Sequence, residues 1–341
     1  MQQTYFVGGY TKRVNKGISS VTFDPSKTKF GPVIPVSALN NPTWLTLNEN
    51  KDTLFAISKA DKGGLTVLKK DANGIFITQS ECFATEIPGC HISYHEATRT
   101  VYVSNYHHGS IDIYRYSEAG ELSFIEQVTH SGSSVHKNQQ SPHVHMTHFS
   151  KDQSQLYVCD LGTDEVYVYD IQNDGLLSEF SVTKFPAGTG PRHITLHPTL
   201  DVAYVIGELG NTTSVVRINE DKTLTIINTL PNVDASEVET SAGAAIRITQ
   251  DGQFLYCSTR FSNLITAFKV DSVGMLSEIQ RISTYGEIPR DFILDETEKF
   301  LLIPHQDTDM ITVLNRDTKS GLLKKAKVTA LAPECVNIVL A

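Results

Sequence analysis

The chain has 341 residues, 40% of them apolar and 20% charged, and a formal net charge of −9. That acidity excludes broad nucleic-acid binding and attachment to anionic membranes, while leaving room for a small anion in a local basic pocket. No apolar run approaches the roughly 18 residues of a membrane-spanning helix, the N-terminus has no basic segment ahead of an apolar stretch, and the five cysteines form no CxxC pair, so a reduced cytoplasmic setting is expected.

One strand signal recurs from end to end. Its cores are Tyr5-Phe6-Val7, Leu54-Phe55-Ala56, Val101-Tyr102-Val103, Leu156-Tyr157-Val158, Ala203-Tyr204-Val205, Leu255-Tyr256-Cys257 and Leu301-Leu302-Ile303, and their central residues lie 49, 47, 55, 47, 52 and 46 positions apart. A period near fifty residues built from short strands indicates a propeller or a solenoid. The fourth copy is the clearest. His143 to Phe149, Leu156 to Cys159, Val166 to Ile171 and Leu177 to Phe185 read as strands separated by polar turns, including Gln172-Asn173-Asp174-Gly175. Four strands make one blade.

The ends set the count. Tyr5 aligns with a second strand, whereas other copies have a Pro about thirteen residues earlier, at Pro42, Pro191 and Pro289. Pro333 to Ala341 supplies a first strand with nothing after it. Together they predict an all-β, seven-bladed propeller of four-stranded antiparallel blades, its N- and C-terminal strands sharing one blade, as a single domain over residues 1–341. Such closure removes exposed sheet edges. Ser131 to Gln140 and Asn232 to Ser241 read as long polar loops.

Strand direction places the lead-in loop to strand one and the loop between strands two and three on the same face of every blade. Those loops carry His91, His143, His145, Arg192, His193 and Arg290 on the lead-in side, and Asn105, Tyr106, Asp160, Glu208, Arg260 and Gln306 on the other. Taken singly, a histidine at a strand start commonly bonds neighbouring backbone, and Arg290 beside Asp291 suits an inter-blade ion pair. Their convergence, with different residues at equivalent positions, indicates a positively biased pocket for a small carboxylate- or phosphate-bearing substrate. His143, His145 and His148 spell HxHxxH. On a strand the first two share a side and the third points away, so a metal would need a ligand such as Asp160 or Glu208 from elsewhere. No metal and no cofactor are expected. The chain has no GxSxG elbow, P-loop or dinucleotide fingerprint.

Val7-Gly8-Gly9-Tyr10-Thr11, Ser104-Asn105-Tyr106-His107, Pro142-His143-Val144-His145, Asp160-Leu161-Gly162-Thr163-Asp164, Gly190-Pro191-Arg192-His193, Glu208-Leu209 and Pro289-Arg290-Asp291-Phe292 together resemble the seven-bladed propeller lactonase family over essentially the whole chain. That family includes bacterial 6-phosphogluconolactonases and a carboxy-cis,cis-muconate lactonizing enzyme. Where its sixth-blade motif reads Ser-Asn-Arg this chain has Ser258-Thr259-Arg260, and its last loop has His305-Gln306 in place of Asn-Gln. The resemblance implies a hydrolase of 6-phosphogluconolactone in the pentose phosphate pathway, with His145, Arg192, Glu208 and Arg260 as catalytic residues. His145 or Glu208 would serve as base, the other orienting it or delivering the proton, and Arg192 and Arg260 would stabilise the oxyanion, where one preorganised donor is worth roughly 3 kcal/mol. Arg290 and His193 would meet a phosphate, and Asn105, Tyr106 and Gln306 the sugar hydroxyls. His91, His143 and Asp160 complete the expected substrate-binding set. Two alternatives differ in kind: a related lactonase or lactone-forming enzyme, and a non-enzymatic binding platform. The platform is disfavoured because the single tryptophan, Trp44, falls in a first strand and is expected between blades. The expected partner is one small anionic sugar lactone, with no nucleic acid or membrane, for a monomer or weak homo-oligomer.

Overall fold

In the computed structural model, which describes residues 1–341, seven four-stranded antiparallel sheets form a closed ring. Counting blades from the N-terminus, the first is the mixed one. Cys335–Leu340 pairs with Gln3–Gly9, Tyr5 opposite Leu340 and Val7 opposite Ile338, and Gly17–Asp24 and Lys29–Ala38 complete it. The fourth blade is Val144–Phe149, Gln155–Asp160, Glu165–Ile171 and Leu177–Lys184, within about a residue or two of the sequence reading at most boundaries. A short 3₁₀ turn, Ala235–Thr240, lies inside the second of the two long loops. No helix is long and apolar enough to cross a membrane.

Each second strand is flanked on both faces by neighbouring blades. This is why its sequence is a continuous apolar run, such as the fully buried Leu54-Phe55-Ala56-Ile57, and not a simple alternation. The core is divided accordingly into seven clusters, one per blade interface. Tyr102, Ile111, Val144 and Tyr167 pack blade three on four, and Tyr5, Val7, Phe300 and Ile311 close blade seven on one. Truncating a fully buried aromatic such as Phe55 to Ala costs about 3–5 kcal/mol. Outer strands alternate and face water, and charges such as Lys324 and Lys325 on Leu323–Leu331 blunt their free edge.

Polar stitches reinforce the interfaces. The hydroxyls of Tyr102, Tyr204 and Tyr256 donate to the carbonyls of Gly175, Gly274 and Gly321 in the next blade, at 2.7, 2.9 and 2.8 Å. At the ring closure the buried Glu334 carboxylate accepts the backbone N–H groups of Lys12, Arg13, Val14 and Asn15 at 2.9, 2.9, 2.9 and 3.1 Å. Burial opposes its ionisation, and those four donors outweigh burial to hold it below the usual glutamate range.

Candidate active site

The innermost strands break register at one level of the ring. In blade four Val144 faces Asp160 and Met146 faces Cys159, leaving His145 as the extra residue of a β-bulge. In blade five Pro191 faces Gly207 and His193 faces Ile206, leaving Arg192. In blade one the ladder steps from Asn337 to Cys335, leaving Val336. A bulge re-aims its unpaired side chain, and these three residues all line one small chamber of about 40 Å³ with Tyr10, Thr43, Trp44, Cys90 and Arg290.

Two carboxylates hold the bulged segments in place. Asp160 Oδ1 accepts the backbone N–H of His143 at 2.8 Å and that of Gly162 at 2.9 Å, and Asp164 accepts Gly188 and Gly190 at 2.7 and 2.6 Å. The Asp160-Leu161-Gly162-Thr163-Asp164 motif therefore presents both His145 and Arg192. Its glycine is required by close approach, since a Cβ on Gly162 would sit 2.0 Å from the Ser141 carbonyl oxygen.

The chamber adjoins a pocket of about 480 Å³, within the range of small-molecule sites. Tyr10, Thr43, Cys90, His145 and Arg290 line both cavities. Lys12, Lys59, Arg260 and Arg290 face a single carboxylate, Glu208, in the larger one. Every contributor comes from the two loop classes that strand direction selects, so an acidic protein carries a cationic pocket.

At its inner end Glu208 bridges two arginines, Oε2 accepting from Arg192 Nε at 2.9 Å and Oε1 lying 2.7 Å from Arg260 Nη2. Burial alone would raise the Glu208 carboxyl, and Arg260 and Arg192 outweigh it to hold the group below the usual glutamate range. A carboxylate so held is a poor proton acceptor. Arg192 is 2% exposed and also meets the Ala244 carbonyl and, at 3.2 Å, His193 Nε2. His145 is held neutral, its basicity pushed well below the ordinary imidazole range by burial first and then by Arg192, Arg290 and Arg260. Its Nδ1 lies 3.9 Å from the Cys90 sulfur. Burial pushes the Cys90 thiol up to about 12, so the sulfur is not a thiolate nucleophile at neutral pH. Arg290 makes no hydrogen bond and no ion pair with any other residue, although burial and then Arg260 work against its charge.

Of the expected residues, His145, Arg192, Glu208, Arg260, Arg290 and Tyr106 are brought together around these cavities. His143 sits behind Tyr106, stacked on its ring with Nδ1 at 2.7 Å from the Tyr106 carbonyl oxygen. Five others lie elsewhere. His91 packs on Trp44, centroids 4.4 Å apart, and lines a separate cavity of about 510 Å³ with His148 and Arg247. His193 is wholly buried against Trp44 and His145. Asn105 donates to the Ile87 carbonyl and to Asp112, both at 3.0 Å. Asp160 is consumed by backbone donors and by His130, 2.7 Å away. Gln306 lines a smaller neighbouring cavity with Tyr10, Lys12 and Arg13. Trp44 precedes the strand Leu45–Leu47 and plugs the ring's axis with His91 and His193, in addition to packing beside the interface of blades two and three. No three His, Cys, Asp or Glu side chains are grouped to hold a metal ion. Sequence reasoning missed Tyr10, Lys12, Thr43, Lys59, Cys90 and His107; all lie in the two loop classes, which was the available signal.

The family model described as "Lactonase, 7-bladed beta-propeller" matches residues 4–340. The chain is 33% identical over 344 residues to a 6-phosphogluconolactonase of Bacillus subtilis, covering 98% of this chain and 97% of that one. Among solved structures, a protein from Lactobacillus plantarum aligns over 100% of both chains with a TM-score of 0.94 and 34% identity. A periplasmic gluconolactonase of Pseudomonas aeruginosa aligns with a TM-score of 0.94 and 26% identity, over 100% of this chain and 99% of that one.

Proposed function

The chain belongs to the seven-bladed β-propeller lactonase family and is a lactone hydrolase, and from that premise we propose that its substrate is 6-phospho-D-glucono-1,5-lactone, opened to 6-phosphogluconate in the pentose phosphate pathway of the cytoplasm. One observation carries the choice of substrate. Arg290 has no protein partner and shares with Lys12 and Lys59 the pocket that holds His145 and the Arg192–Glu208–Arg260 bridge. An unpaired, largely buried cation in such a place is matched by an anionic group on the ligand.

The proposed mechanism is general acid–base hydrolysis. Neutral His145 takes a proton from water as the water oxygen bonds to the lactone carbonyl carbon, and the carbonyl electron pair moves onto its oxygen. Arg260, with Arg192 held rigidly behind Glu208, stabilises that oxyanion. Collapse breaks the bond from the carbonyl carbon to the ring oxygen, which takes the proton from the imidazolium and leaves as the C5 hydroxyl. The resulting carboxylic acid loses its proton to solvent. Glu208 fixes the arginines and does not act as the base. Tyr106 and His107 face the sugar, while Lys12, Lys59 and Arg290 take the phosphate. The test is product inhibition: 6-phosphogluconate is expected to inhibit at concentrations at least about tenfold below gluconate. Equal inhibition by the two acids removes the phosphate from the reading.

A further inference from the structure

A second groove of about 600 Å³ opens beside the catalytic pocket, and Glu208 and Arg260 line both. Its outer walls come from the two long polar loops, through Val135, His136 and Lys137 on one side and Glu239 and Thr240 on the other. The reaction proposed above uses none of these residues.

Two features identify what fits there. The first is Phe261, directly after Arg260. It is 59% exposed and has a φ of 71°, a left-handed conformation that a bulky side chain rarely adopts and that concentrates at functional sites. The Arg260 guanidinium carbon lies 5.9 Å from its ring centroid. The fold thus holds an apolar ring in water at the edge of a polar groove. The second is charge. The catalytic pocket has four cations against one carboxylate, whereas the groove sets Lys137 and Arg260 against Glu239 and Glu208. His136 Nδ1 accepts the Asn138 N–H at 3.2 Å, which leaves its other ring nitrogen to carry the proton. An exposed aromatic face beside balanced donors and acceptors matches a neutral polyhydroxylated ring, which offers C–H faces to the aromatic and hydroxyls to the polar groups.

We infer that this groove is a second sugar subsite, so that the enzyme also accepts gluconolactones bearing a neutral glycosyl substituent. The inference rests on the lactonase chemistry of the adjoining pocket but not on the phosphate.

The experiment compares glucono-1,5-lactone with maltobionolactone and cellobionolactone in the wild type and in two variants. Phe261→Ala removes the stacking face, and Thr240→Trp fills the groove from an exposed position. Wild-type enzyme is expected to hydrolyse at least one disaccharide lactone. Each variant should lower kcat/KM for it about tenfold while leaving gluconolactone within about twofold. Acceleration of gluconolactone but of neither disaccharide lactone overturns the inference, as does an equal loss on all substrates in both variants. A disaccharide-specific loss without any preference for phosphorylated lactone would remove the phosphate reading and leave the subsite standing.

Discussion

The ring of His143 lies flat on Tyr106, centroids 4.2 Å apart and planes 6° apart, with His143 Nδ1 at 2.7 Å from the Tyr106 carbonyl oxygen. That pairing holds the His143 ring against Tyr106, whereas the bulge turns His145, two residues on, toward the chamber. His145→Gln should therefore lower kcat by about 10²–10⁴-fold with unchanged thermal stability. His143→Ala should act mainly on KM, through a displaced Tyr106. Reversed effects in steady-state kinetics would exchange the two roles.

Arg290 offers a clean test of anion recognition because removing it orphans no carboxylate. In Arg290→Ala, KM for the phosphorylated lactone should rise about tenfold or more, while plain gluconolactone changes little and Tm stays within a few degrees. Arg260→Ala differs: it leaves Glu208 with one partner and should reduce kcat on both substrates. Parallel losses on both lactones in Arg290→Ala would place that residue at the reacting end instead.

The acid behaviour follows from two depressed groups. Burial and the arginines keep His145 neutral to well below its ordinary value of 6.5, so kcat/KM should show no acid limb near that pH. Stability moves with it. Below 6.5 the unfolded histidine binds a proton that the native one refuses, so folding weakens as pH falls. The Glu208 contribution, present above the usual glutamate range, is lost as pH drops through its lowered native value. A pH–rate profile with its acid limb at 6.5 would contradict the shielded imidazole.

Ring closure should depend on Glu334. Glu334→Ala leaves the N–H groups of residues 12–15 without their acceptor and should cost about 3 kcal/mol or more, lowering Tm by several degrees, with Glu334→Gln falling between. An unchanged melting curve for Glu334→Ala would show that strand pairing alone closes the ring.

Blade number, the shared first blade and the face that gathers the cationic pocket were legible because second-strand burial imposes an apolar run every fifty residues or so, and strand direction then assigns loops to faces. Which of two adjacent residues enters the pocket was not. Cys90 enters and His91 does not, and Arg192 meets Glu208 while His193 is sealed in the axial plug. Side-chain parity on a strand predicts such choices only while the register holds, and the bulges at His145 and Arg192 shift it beside the chamber. Asp160 read as a candidate substrate-binding residue because its loop lies on that face. The clamp it forms with Asp164 depends on backbone donors 17 to 26 residues away in sequence, which no local pattern displays.

The most direct test is the decay of freshly generated 6-phosphogluconolactone with purified enzyme in EDTA, beside unphosphorylated gluconolactone. Rapid, chelator-resistant hydrolysis with a clear preference for the phosphorylated lactone, abolished by His145→Gln, is the expected result. Activity that disappears on chelation, or wild-type rates in the His145 variant, would contradict hydrolysis driven by His145 and the arginine bridge.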